Sequence, residues 1–177
     1  MSWAIWITGL PGSGKTALAQ GVAAALHERG IPVKVLELDE IRKVVTPEPT
    51  YTDAEREIVY RALAYMAKLL TEAGVPVLID ATGPRRAWRE LARDLIPAFA
   101  EVQLHCRLEV CRERERHREA GHAPPAIYAR AGQPGATVPG VDVPYEAALR
   151  PELTLHTDDC DLPTAVRAVV ALAGRVA

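Results

Sequence analysis

The chain has 177 residues, 49% of them apolar and 25% charged, with 21 Lys and Arg set against 23 Asp and Glu for a net charge of −2. That length suits one domain with a sizeable core. The near-neutral balance excludes a global basic field for nucleic acid or an anionic membrane, so any anion site must be a local concentration of donors.

Residues 3–8 read as a first strand, apolar almost throughout, as suits a strand buried on both faces of a parallel sheet. Gly9-Leu10-Pro11-Gly12-Ser13-Gly14-Lys15-Thr16 follows and fits G-x-x-x-x-G-K-[ST] at every fixed position. Glycines there let successive backbone N–H groups turn inward and cradle phosphate oxygens. The loop then feeds a helix N-terminus, which attracts the same anion. Lys15 would reach the β- and γ-phosphates of a nucleoside triphosphate such as ATP, and Thr16 would offer its hydroxyl to Mg2+.

Residues 15–29 follow as a helix, with Leu18, Val22, Ala25 and Leu26 on one face and Gly30 as its stop. Residues 33–38 alternate as a second strand and end at Asp39. Asp39 to Arg42 thus lie just past a strand's carboxyl end, the edge where open α/β sheets bind ligands. A carboxylate there can take the proton of a hydroxyl acceptor. Arg42, one helical turn on, can bind an anionic group. The plain alternative for the two is a surface ion pair.

Residues 46–51 form a loop broken by Pro47 and Pro49. Thr52 or Asp53 caps the next helix, which runs to about Ala73 with Ile58, Leu63, Met66 and Leu70 inward. Arg56 and Arg61 lie on it. Arg56, near its start, can face the same crevice, and a solvated helix face is the plain alternative.

Residues 75–80 are a third, apolar strand ending in Asp80. A carboxylate so placed suits Mg2+ or its water shell, or else caps a turn. A loop at 81–84, a helix over 86–95 and a strand over 102–106 come next, then a helix over 108–119 crowded with Arg and Glu. Most of those charges suit an exposed face laced with i,i+4 pairs, and one or two would serve as lid cations. Residues 121–143, rich in Gly, Pro and Ala, suit a mobile lid segment; a fifth strand at 153–156 and a helix over 162–172 end the chain.

Strands alternating with helices give a three-layer P-loop NTPase fold of the α/β class, a five-stranded parallel sheet flanked by helices. It occupies residues 1–177 as one domain with a lid-like region at about 107–143. Three cysteines, Cys106, Cys111 and Cys160, lack C-x-x-C spacing, which argues against a disulfide scaffold or structural zinc. No apolar run has transmembrane length, and the first strand starts too early to leave room for a leader. The expectation is a reduced, cytoplasmic protein with no membrane and no nucleic-acid partner.

The ordered motifs resemble those of the adenylylsulfate kinase (APS kinase) family. The likeness runs through Gly9–Thr16, Leu38-Asp39-Glu40-Ile41-Arg42, Tyr51-Thr52-Asp53-Ala54-Glu55-Arg56-Glu57, Ala73-Gly74-Val75-Pro76-Val77, Leu108-Glu109-Val110-Cys111, Ala129-Arg130-Ala131-Gly132 and Gly140-Val141-Asp142-Val143-Pro144-Tyr145-Glu146. The resemblance implies transfer of the ATP γ-phosphate, with Mg2+, to the 3′-hydroxyl of adenosine 5′-phosphosulfate in sulfate assimilation. It implies Asp39 beside the acceptor hydroxyl, Arg42 and Arg56 on the phosphosulfate, Tyr51 stacked on the acceptor adenine and Thr82 in the acceptor loop. It also implies Arg114 packed on the ATP adenine and a homodimer.

Four departures stand out. Glu37-Leu38-Asp39 replaces D-G-D; Val59 replaces an Asn; residues 133–138 lack the expected Lys and Phe; and Asp80 stands where the family more often has a small or hydroxyl residue. All four fall on acceptor recognition. Two further readings therefore stand beside the first: a kinase of the same build acting on another small hydroxyl compound, and a nucleotide-binding regulatory protein without transfer.

Overall fold

A computed structural model describes residues 2–118, 122–124 and 126–177. Its strands are β1 (Ala4–Thr8), β2 (Lys34–Glu37), β3 (Val77–Asp80), β4 (Phe99–His105) and β5 (Leu153–His156). They pair in parallel in the order β2-β3-β1-β4-β5. β1 is central, and every residue of it is buried. The register sets Ile7 opposite Asp80 and Glu37 opposite Asp80. The carboxyl ends of β1, β2 and β3 are therefore level, and the segments leaving them share one edge of the sheet.

Among the described residues six α-helices flank the sheet: α1 (Lys15–His27), α2 (Leu38–Val45), α3 (Asp53–Glu72), α4 (Arg86–Leu95), α5 (Leu108–Arg116) and α6 (Leu162–Val176). Alternation along β1 divides the core in two. Ile5 and Ile7 pack with Leu18, Val22 and Leu26 of α1 and Val169 and Val170 of α6. Ala4 and Trp6 face Tyr60 and Leu63 of α3 and Trp88 of α4. This is the three-layer α/β architecture that the alternation of elements implies. No described helix is long and apolar enough to cross a membrane.

Several boundaries differ from the sequence reading. α2 starts directly after β2; Asp39 and Glu40 in its first turn and Arg42 and Lys43 in its last complement the helix dipole. Thr52 rather than Asp53 caps α3, its hydroxyl accepting from the Glu55 N–H at 3.3 Å. β4 begins at Phe99, only two residues after Pro97. α5 stops at Arg116, and the Glu119 and Gly121 limits expected for the helix and lid lie outside the described residues. A short 3-10 helix, Ile127–Arg130, lies where the sequence shows no clear period.

Ile58 is the clearest correction, being 67% exposed rather than inward. The buried face of α3 carries Arg56, Val59, Tyr60, Leu63, Ala64, Ala67 and Thr71. Ile58 is two residues from both Arg56 and Tyr60, about 200° around the helix. Ile58→Ser should therefore shift unfolding free energy by less than ~0.5 kcal/mol, whereas Leu63→Ala should cost about 2–5 kcal/mol. Urea denaturation followed by circular dichroism measures both.

Candidate active site

The phosphate-loop sequence closes as a loop because Gly12 and Gly14 take left-handed φ angles of 78° and 99°. A Cβ on Gly12 would also run into the Cys111 carbonyl of α5. Lys15 Nζ donates to the Gly9 and Leu10 carbonyls at 3.1 and 3.0 Å. Burial lowers its pKa, opposed by the charges of Asp80 and Asp39. Thr16 Oγ1 donates to Asp80 Oδ2 at 2.6 Å. Asp80 is buried, and burial raises its pKa against the pull of Lys15 and Thr16.

Ser13 Oγ is buried with no hydrogen-bond partner among the described residues. Such an orphan inside a turn of backbone N–H groups suits a phosphate oxygen. The paired hydroxyl and carboxylate of Thr16 and Asp80 are hard oxygen donors of the kind Mg2+ takes. The residues present thus fit a magnesium-bound triphosphate.

A cavity of about 620 Å³ opens in front of the loop. Pro11, Gly12, Gly14, Lys15 and Thr16 line it from the loop, and Asp39, Arg42, Tyr51, Arg56, Asp80 and Thr82 are among its other lining residues. Gly9, Leu10 and Ser13 belong to the loop but not to the lining. The sequence-derived residues are therefore brought together, with one exception. Arg114 is outside the lining and donates to the Thr157 carbonyl at 2.6 Å, while Thr157 Oγ1 donates to the Ser13 carbonyl at 2.7 Å. It stands behind the phosphate loop, joined to it through Thr157.

The arginines have different partners from those neighbouring positions suggest. Arg42 pairs with Glu55 at 3.2 Å, not with Asp39. Glu55 also accepts from the Thr50 and Tyr51 N–H groups at 2.9 and 2.8 Å. It thereby holds Tyr51 at a φ of 54°, with the Arg42 guanidinium 5.1 Å from its ring centroid. Arg56, buried, donates to the carbonyl and hydroxyl of Thr137 at 2.7 and 2.9 Å. Arg61 pairs with Glu57 in solvent, the plain reading. On α5, Arg116 pairs with Glu113.

Long-range contacts that sequence reasoning missed hold the loop beyond β3. Trp6 Nε1 donates to the Ala81 carbonyl at 2.9 Å, and Thr8 Oγ1 to the Thr82 carbonyl at 2.6 Å. The Gly83 N–H donates to the Tyr60 hydroxyl at 3.2 Å. Burial pushes that phenol up to about 12, so it stays neutral. Arg118 and Arg130 also line the cavity. The 3-10 helix touches the phosphate loop through Tyr128, whose hydroxyl donates to the Pro11 carbonyl at 2.6 Å. None of these partners is near in sequence, so no local spacing announces them.

Residues 1–156 match the family described as Adenylylsulphate kinase. The chain is 36% identical over 168 residues to the adenylyl-sulfate kinase of Synechococcus sp. (strain JA-2-3B'a(2-13)), covering 94% of this chain and 91% of that one. It is 36% identical over 164 residues to the probable adenylyl-sulfate kinase of Archaeoglobus fulgidus, covering 91% and 99%. Its fold is similar to that of the Mycobacterium tuberculosis APS kinase CysC in complex with AMPPNP and APS. There the TM-score is 0.85 and the identity 31%, over 98% of both chains.

The loop geometry makes its own prediction. Gly12→Ala combines a left-handed φ with a clash and should weaken AMPPNP binding about tenfold or more. Gly14→Ala, whose added Cβ meets open space, should lose less. Titration calorimetry on both variants measures the difference.

Proposed function

The chain belongs to the adenylylsulphate kinase family, and from that membership we propose that it moves the γ-phosphate of ATP to the 3′-hydroxyl of adenosine 5′-phosphosulfate. The observation that carries this reading is one cavity lined both by the phosphate loop and by Asp39, Arg42 and Arg56. Its volume of about 620 Å³ lies within the usual range for small-ligand sites.

In this reading the loop N–H groups and Ser13 hold the ATP phosphates, and Lys15 leaves the Gly9 and Leu10 carbonyls for the β- and γ-phosphates. Thr16 and Asp80 would hold Mg2+, which when bound neutralises charge on the phosphate oxygens. Asp39 accepts the proton of the attacking hydroxyl. Arg42 and Arg56 bind the phosphosulfate, Tyr51 stacks on the acceptor adenine, and Thr82 presents the acceptor loop. Arg114, outside the cavity and bonded to Thr157, would have to reach around the edge of the loop to pack on the ATP adenine. Residues 1–177 act as one kinase domain with 107–143 as its lid.

A different small hydroxyl acceptor is the second reading, and one contact favours it. Thr137, from the segment that lacks the family's Lys and Phe, takes up the Arg56 Nη2 that would otherwise meet an anion. Val59 is also packed in the core, so nothing replaces the Asn at that position. A binding protein without transfer has less support, because Asp39 faces the cavity.

Purified protein with ATP, Mg2+ and a panel of hydroxyl acceptors tests the assignment. Adenosine 5′-phosphosulfate should yield its 3′-phosphorylated product, identified by mass spectrometry and phosphorus NMR. Turnover confined to another acceptor would select the second reading, and no transfer to any would overturn both.

A further inference from the structure

Arg89 of α4 is a fully buried charge, at 0% exposure, paired with Glu101 of β4 at 1% and a distance of 2.5 Å. A buried ion pair is poor evidence for stability, since desolvating both ions offsets most of their attraction. Its geometry has a different use. The Arg89 fork also donates to two backbone carbonyls, those of Gly83 and Glu146, the latter at 2.5 Å. Gly83 belongs to the acceptor loop; Glu146 ends the Gly140–Glu146 motif, to which the proposed chemistry gives no role.

The two segments are joined at further points. The Glu146 N–H donates to the Pro84 carbonyl at 2.8 Å, and Glu146 Oε2 accepts from the Arg86 N–H at 2.7 Å. The Arg89 guanidinium carbon lies 5.7 Å from the Tyr145 ring centroid. The Tyr145 hydroxyl accepts from Gln103 Nε2 at 2.8 Å and is 2.9 Å from Thr8 Oγ1. Thr8 spends its own proton on the Thr82 carbonyl, so Tyr145 donates to Thr8. Gly83 sits close over the stem of Arg89, where an added Cβ would come within 3.1 Å of Cδ. Thr82 therefore lines the cavity from a loop whose carbonyls are gripped from behind by side chains that never reach the cavity themselves.

We propose that Arg89 is a positioning residue that sets acceptor affinity. Oriented by Glu101, it locks the 81–84 loop to the 140–146 segment and holds Thr82 toward the acceptor. The inference rests on the acceptor half of the site being where the proposed function puts it. It is independent of which hydroxyl compound is the acceptor.

Two variants test it. Arg89→Lys keeps a charge opposite Glu101 but loses the planar fork. Thr8→Val keeps the volume, leaves the ion pair alone and removes the bond to the Thr82 carbonyl. Kinetics are measured where each variant is folded by near-ultraviolet circular dichroism. Both should raise the acceptor KM about tenfold or more while the KM for ATP stays within about twofold. A role confined to stability would change neither KM in the folded protein. If Arg89→Lys fails to fold, Thr8→Val alone reads the outcome. Unchanged acceptor KM in the folded variants, or parallel rises in both KM values, would overturn the proposal. The split is read on whichever acceptor the wild-type protein phosphorylates, so an acceptor other than adenosine 5′-phosphosulfate contradicts the proposed substrate and leaves this test intact. A wild-type protein that phosphorylates none overturns both.

Discussion

A carboxylate buried at the end of β3 has to find compensation, and Asp80 finds it in Thr16 and Lys15. That requirement links three elements. The β1–β3 register brings Asp80 beside the loop that leaves β1. The loop's left-handed glycines turn Thr16 back toward it. Burial pushes the pKa of Lys15 down, and the charges of Asp80 and Asp39 oppose that shift. The raised pKa of Asp80 has a definite sign. Between the ordinary carboxylate value of 3.8 and its raised one, the nucleotide-free fold binds this proton more tightly than the unfolded chain does. Stability from Asp80 is therefore present at low pH and lost as pH rises through the folded value. A divalent cation held by Thr16 and Asp80, as proposed above, would compete with that proton and offset the penalty of ionisation.

The acceptor half is built differently. Its cations are already engaged, Arg42 by Glu55 and Arg56 by Thr137. Both contacts link separate elements: Glu55 joins α2 to the start of α3, and Thr137 joins α3 to the loop after the 3-10 helix. An anionic acceptor would have to share or replace these partners. Replacing a backbone carbonyl by an anion strengthens a guanidinium hydrogen bond. If Arg56 binds the acceptor as proposed, acceptor binding would be coupled to rearrangement of the 137 region.

Local features were legible in the sequence, and contacts between distant segments were not. The Gly9–Thr16 loop is a continuous motif whose chemistry depends on its own backbone. Asp39, Arg42 and Asp80 follow from one rule about strand ends. Ile58 was misread because an apolar residue on a helix carries no direction by itself. The buried face of α3 instead accommodates Arg56, which burial alone would exclude and which Thr137 satisfies. Arg89 sits in a segment whose sequence reads only as a helix over 86–95. Only the fold shows that Glu101, buried on β4, is waiting beneath it. Arg114 stands behind the loop rather than in the cavity because the Thr157 carbonyl, at the end of β5, receives its guanidinium.

The central claim is that Asp39 serves the acceptor hydroxyl while the loop, Lys15, Thr16 and Asp80 serve the nucleotide. Asp39→Asn separates those roles in one experiment that pairs single-turnover phosphoryl transfer with AMPPNP affinity at saturating Mg2+. The account predicts that transfer slows about 10²–10⁴-fold while AMPPNP affinity stays within about threefold. Parallel loss of affinity and transfer would contradict it and move Asp39 to the metal.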